Sequence, residues 1–187
     1  MHIQRLKAGV YTGLLLLLLG CFVPLAQAAT TLYASPNQSS YSLAPYSAFW
    51  HTEDKALTLS ELLSQAPSFE PAHNAADLNF GYTRNDVWLR TQIHNNSSQA
   101  QRWIVQFEYP FLDHVNLYTL RQHATDVQQS GSAVPVDLRA LAHRQATFPL
   151  QLAANETVTL YSQINASGSK MLSYNLMRPE AFYAQND

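Results

Sequence analysis

The run Asp86-Val87-Trp88-Leu89-Arg90-Thr91-Gln92-Ile93-His94-Asn95-Asn96 limits the possible folds more than any other stretch of this chain. Its side chains alternate. Val87, Leu89, Thr91 and Ile93 fall on one side; Trp88, Arg90, Gln92 and His94 fall on the other. A repeat of two places a residue set on one face only when the backbone is extended, so the run predicts a strand with one buried face. Asn95, Asn96, Ser97 and Ser98 end it, because Asn and Ser side chains bond their own backbone in turns. A second alternating run, 103–109, carries Trp103, Val105, Phe107 and Tyr109 on one face. The short gap between the two predicts an antiparallel hairpin at the centre of a β-sandwich.

The rest of the chain reads the same way. Residues 30–45, rich in Ser, Tyr, Asn and Pro, are expected to be a poorly ordered or extended lead-in. Residues 46–51 read as a short aromatic first strand. Thr58-Leu59-Ser60-Glu61 has the spacing of a capping box, predicting a short helix through Leu63 that Pro67 stops. Further strands are expected over 114–120, 146–152, 157–164 and 171–177. Pro110 breaks the ladder after the second run, and Pro149 marks an edge strand or a bulge. Residues 129–132 read as a turn, and 137–145 as a loop carrying Arg139 and Arg144. Roughly eight short strands and one small helix make an all-β, antiparallel, jelly-roll-like sandwich.

The first residues read differently. Arg5 and Lys7, the leucine run 14–19 and Ala26-Gln27-Ala28 have the order of a secretory signal peptide cleaved after Ala28. Leu18-Leu19-Gly20-Cys21 is the weaker alternative of a lipoprotein signal. Residues 1–28 are thus read as signal, 29–51 as the extended lead-in and 52–187 as the sandwich, with the periplasm as the expected location. Cys21 is the chain's single cysteine, so the exported domain has no disulfide and relies on burial. Losing Arg5 and Lys7 takes the formal charge from −2 to −4. With only Lys55 and Lys170 left as lysines and no basic run, nucleic acid is not an expected partner.

Several segments together resemble a known family. They are Asp86-Val87-Trp88-Leu89-Arg90, Asn95-Asn96-Ser97-Ser98, Arg102-Trp103 and Tyr109-Pro110-Phe111-Leu112-Asp113-His114-Val115-Asn116-Leu117-Tyr118. Later come Arg144 before Phe148-Pro149-Leu150, Thr157-Val158-Thr159-Leu160-Tyr161 and Pro179-Glu180-Ala181-Phe182. In order and spacing they resemble the type 2 extracellular domain of bacterial seven-transmembrane receptors with diverse intracellular signalling modules, over residues 52–182. The resemblance implies a jelly-roll periplasmic sensor similar to carbohydrate-binding modules. Its signal would pass to a membrane and cytoplasmic output module absent from this chain.

Six residues are candidate ligand contacts: Trp88, Arg90, Tyr109, Asp113, Tyr118 and Arg144. Trp88 and Arg90 share a face, where an indole stacks on a sugar ring and a guanidinium grips hydroxyls or a carboxylate. The alternative is a core Trp88 covered by Arg90. Tyr109, Asp113 and Tyr118 flank the Pro110 break, either as a binding rim or as a turn in which Asp113 accepts backbone amides. Arg144 either anchors a ligand or ties its loop to Asp113 or Glu108. The histidines lack metal-ligand spacing, and no nucleophile or phosphate-loop motif occurs. The expectation is therefore no metal, no cofactor and no catalysis. A small-molecule ligand, possibly a carbohydrate, is the expected partner. The alternative is a protein-docking or dimerisation module with no small ligand.

Overall fold

The computed structural model describes residues 30–54 and 56–186; the expected signal peptide and the Cys21 alternative lie outside them. Thirteen strands occur among the described residues. They are β1 (Leu32–Ala34), β2 (Ser40–Ser42), β3 (Ser47–Thr52), β4 (Glu70–Pro71), β5 (Asn79–Tyr82), β6 (Asp86–Asn95) and β7 (Gln101–Phe107). β8 (His114–Leu120), β9 (Thr125–Ser130), β10 (Thr147–Leu152), β11 (Thr157–Asn165), β12 (Ser169–Met171) and β13 (Tyr174–Met177) follow. Two helices, α1 (Leu59–Gln65) and α2 (Pro179–Asn186), complete the fold.

The strands form two sheets and a ribbon. The large sheet has the order β4-β3-β6-β11-β8-β9, with β1 paired in parallel to the far end of β6. The small sheet has the order β10-β7-β13-β2, and β12 pairs with β5 in the ribbon. Apolar side chains of both sheets meet between them: Val87, Leu89, Ile93, Leu117 and Leu160 from one, and Trp103, Val105, Phe107, Phe148 and Leu176 from the other. This is the expected all-β sandwich.

The expected hairpin does not form. β6 lies in the large sheet between β3 and β11, whereas β7 lies in the small sheet between β10 and β13. Both strands carry an apolar face, and the two faces meet across the core instead of lying side by side. The Asn95 amide holds the crossover, its Nδ2 donating to the carbonyls of Gln99 at 2.9 Å and Ala153 at 2.6 Å. The lead-in supplies β1 and β2, one to each sheet. The expected turn at 129–132 begins later, because β9 runs through Ser130. The last expected strand is two, β12 and β13.

Local chemistry sets α1. Thr58 Oγ1 accepts the Glu61 amide at 3.3 Å, and the Glu61 carboxylate accepts the Thr58 amide at 2.8 Å. That reciprocal pair satisfies two amide hydrogens that a helix start leaves unpaired. Ala66 ends the helix in the left-handed region at φ 45°, and Pro67 follows. Leu59 and Leu62 turn inward and lay the helix on the outer side of the large sheet.

Candidate functional site

Strand register builds the outer side of the large sheet in rows. One row runs Trp50, Trp88, Gln163, Asn116, Gln129 across β3, β6, β11, β8 and β9. The next runs Ala48, Arg90, Tyr161, Tyr118, Val127 across the same strands. Directly opposed residues of antiparallel strands point the same way, so each row is a line of side chains on one surface. An amide-bearing row therefore lies beside an aromatic row with a guanidinium in it.

Helix α1 covers one half of this surface. Leu57, Leu59 and Leu62 bury Trp88 and Tyr161, with Trp50 and Phe69 packed against them. The other half, around Asn116, Tyr118 and Val127, is open to solvent to varying degrees. Tyr118 stacks on Trp88 with ring centroids 5.8 Å apart and planes 19° apart. Partial burial holds the Tyr118 hydroxyl above its ordinary pKa, so it is a neutral donor at physiological pH. Trp88 is 0% exposed. It packs against the Tyr118 ring on the same face of the sheet and does not itself reach solvent. Its indole N–H has no partner among the described residues.

The amide row is loosely bonded. Gln163 Oε1 accepts from Asn116 Nδ2 at 3.3 Å and from the Tyr118 hydroxyl at 3.5 Å. Its Nε2 donates to the Leu57 carbonyl at 3.3 Å and to Asp86 at 3.5 Å. All four distances lie at the weak end of the hydrogen-bond range. Such groups can exchange their partners for ligand hydroxyls at little cost. Asn165 is different, donating to Asp86 at 2.6 Å and fixing that carboxylate.

Arg90 sits at the border of the covered half. Its guanidinium lies 4.9 Å from the Phe69 ring centroid, and Phe69 meets Tyr161 edge-on at 6.0 Å. Phe69, Tyr161 and Arg90 line a pocket of about 230 Å³ at the C-terminal end of α1, with Leu62, Leu63 and Pro67.

The structure brings Trp88, Arg90 and Tyr118 together and places the other three candidates elsewhere. Tyr109 is half-buried and meets Phe111 edge-on at 5.5 Å. Asp113 accepts the Ser167 amide at 2.6 Å and the Ser132 hydroxyl at 3.3 Å, joining two loops. The Ser167 amide holds its carboxyl below the usual carboxylate range. Arg144 is exposed, and among the described residues it is paired with neither Asp113 nor Glu108. Glu108 instead accepts from Asn175.

Asn116, Gln163, Tyr161 and Phe69 were not legible as site residues in sequence. The alternation of 114–120 and 157–164 puts three of them on the outward face, but only strand order brings them onto one surface with Arg90. Phe69 carries no such signal. A larger groove of about 620 Å³ lies outside the small sheet, lined by Arg102, Ile104, Pro149, Gln151, Pro179 and Tyr183. It contains none of the six sequence candidates.

Among the described residues no group of His, Cys, Asp and Glu is arranged to hold a metal ion. No helix among them is long and apolar enough to cross a membrane. A family model described as 7TMR-DISM extracellular 2 matches residues 44–178. A comparison with curated proteins finds none that matches.

Proposed function

Since the chain belongs to the 7TMR-DISM extracellular 2 family, extracellular sensor domains of seven-transmembrane receptors, we propose that it is a periplasmic sensor module for a carbohydrate or other small polar molecule. The ligand sits on the outer side of the large sheet. The observation that carries this reading is the pairing of the two rows, loosely bonded amides beside the Tyr118–Trp88 stack. A flat ring takes the apolar face of a sugar, and amides take its hydroxyls.

Arg90 and Tyr118 contact the ligand, and Trp88 keeps Tyr118 in place. Helix α1 borders the same surface, so a ligand that touches it favours one docking of the helix over others. A shift of that kind is what a ligand can transmit to an attached membrane and cytoplasmic output module. The protein itself carries out no catalysis in this reading.

Thermal unfolding against a panel of sugars, amino acids and small organic acids tests the proposal. A ligand at a hundred times its Kd stabilises by about 2.7 kcal/mol, a clear rise in midpoint. A chain that unfolds cooperatively and responds to no compound would refute it. One observation favours a protein-docking role instead. Tyr82 at the end of β5 and Phe111 in the turn after β7, 87% and 64% exposed, project at the end of the sandwich where β6 begins. Concentration-dependent self-association, lost when both become Ser, would support that reading.

A further inference from the structure

Partly buried arginines elsewhere in this fold are fully engaged. Arg121 meets Asp126 at 2.9 Å and Glu156 at 2.6 Å, and also donates to the Gln151 carbonyl at 2.8 Å. Arg139 donates to the carbonyls of Val134 and His143, each at 2.8 Å, and more weakly to Ser132. Arg90 differs. It is half-buried, yet among the described residues its guanidinium forms no ion pair and no hydrogen bond, and its one specific contact is the Phe69 ring. On the same face of β6, Asp86 is engaged by Asn165 and Gln163, and Glu61 of α1 is engaged by Thr58.

A guanidinium is a rigid planar fork of donors that matches the two oxygens of a carboxylate. Here the fork is partly withdrawn from water and borders a pocket whose other side chains are mostly apolar: Leu62, Leu63, Pro67 and Phe69, with the Tyr161 ring. Water screens a charge pair less in such a place than on an open surface. Apolar walls also select the body of the ligand. A neutral polyhydroxy ring pushed into this pocket would strip water from hydroxyls without replacing their partners. The pocket volume of about 230 Å³ is that of roughly eight water molecules in the liquid, which suits a compact ligand.

We propose that the molecule recognised here is a compact organic acid with an apolar body, its carboxylate gripped by Arg90 and its body seated between α1, Phe69 and Tyr161. This rests on the sensor reading above and narrows its ligand class. The Tyr118 and Gln163 side of the surface then meets the part of the ligand that leaves the pocket.

The test compares acids with their neutral amides on the purified protein. Benzoate and butanoate are set against benzamide and butanamide in thermal unfolding and calorimetric titration. The acids are expected to raise the midpoint with increasing concentration, and the amides to leave it unchanged. Arg90→Gln is expected to weaken the acid response roughly tenfold or more. Leu63→Trp, which fills the mouth of the pocket from the partly exposed side of α1, is expected to abolish it with Arg90 intact. If Arg90→Gln does not fold, the acid–amide comparison and Leu63→Trp decide the matter. Equal responses to acid and amide, or an acid response that survives Arg90→Gln or Leu63→Trp, would overturn the proposal. A response to neutral sugars alone would overturn it and leave the sensor reading standing. No response to these acids or to any compound of the wider panel would remove both.

Discussion

The Tyr174 hydroxyl, at the centre of the sandwich, lies 2.7 Å from the Ser47 hydroxyl of the opposite sheet. Tyr174 stands on β13 of the small sheet and Ser47 on β3 of the large one. Thr91 of β6 bonds to both, and Ser47 also donates to the Leu43 carbonyl at 2.6 Å. The cluster is fully buried and fully paired, so it fixes how the sheets sit on each other. Thr91 is the one polar residue among the four inward positions 87, 89, 91 and 93, and this cluster is the reason it is there.

Tyr174→Phe should cost about 1 kcal/mol, because Ser47 and Thr91 still pair with each other at 2.8 Å when the phenol is gone. Urea unfolding at neutral pH measures it. Tyr174 also sets the alkaline limit of the fold. Burial pushes its pKa up to about 12, against the opposing hydrogen bonds from Ser47 and Thr91. The folded state therefore holds this proton more tightly than the unfolded chain. The associated stability is complete below about pH 10 and is lost as pH rises through 12. In Tyr174→Phe the fall over that window should be shallower.

Asp113 sets a contrasting acid dependence. Its carboxylate accepts the Ser167 amide and the Ser132 hydroxyl, which lowers its pKa in the folded state. The contribution is present above the unfolded pKa and lost as pH falls through the folded one. Asp113→Asn should unfold at a lower temperature at neutral pH and lose less on acidification than the parent. Midpoints measured between pH 2 and 7 check both parts.

Gly131 is fixed by the same turn. Its φ is +132°, and a Cβ there would lie 2.3 Å from the Asp113 carbonyl oxygen. Gly131→Ala must both adopt a conformation that side chains disfavour and displace backbone, so a loss of at least about 1–3 kcal/mol is expected. Chemical denaturation reads it directly.

Helix α1 should come loose when its cap is cut. Thr58→Ala removes the acceptor for the Glu61 amide, costing about 0.5–2 kcal/mol. The loss is expected as faster amide hydrogen exchange in residues 59–66, with the sheet amides unchanged. Trp88→Ala should cost more, about 3–5 kcal/mol, since it empties the space between α1 and the sheet.

Much of the fold was legible because alternation reports burial. The inward set Val87, Leu89, Thr91, Ile93 and the outward set Trp88, Arg90, Gln92, His94 lie as the period of two requires. Thr58 and Glu61 cap α1 as their spacing requires. Partner choice was not legible. Alternation says which side of a strand is wet, not which strand lies beside it, and the nearness of β6 to β7 in sequence pointed to a hairpin where the chain crosses between sheets. β9, Thr125–Ser130, gives no signal in sequence because an edge strand with both faces largely polar has no apolar period. The candidate site divided for the same reason. Trp88, Arg90 and Tyr118 converge through β11, whose place between β6 and β8 no local pattern announces. Tyr109, Asp113 and Arg144 remain at the loops.

The central claim is that ligand binds the outer side of the large sheet, and a comparison of two substitutions tests it most directly. Using the compound of the panel that most raises the parent's midpoint, the shift should disappear in Tyr118→Ala and persist in Arg144→Ala. A shift that survives Tyr118→Ala and vanishes in Arg144→Ala would contradict the account and move the site to the loops around Asp113.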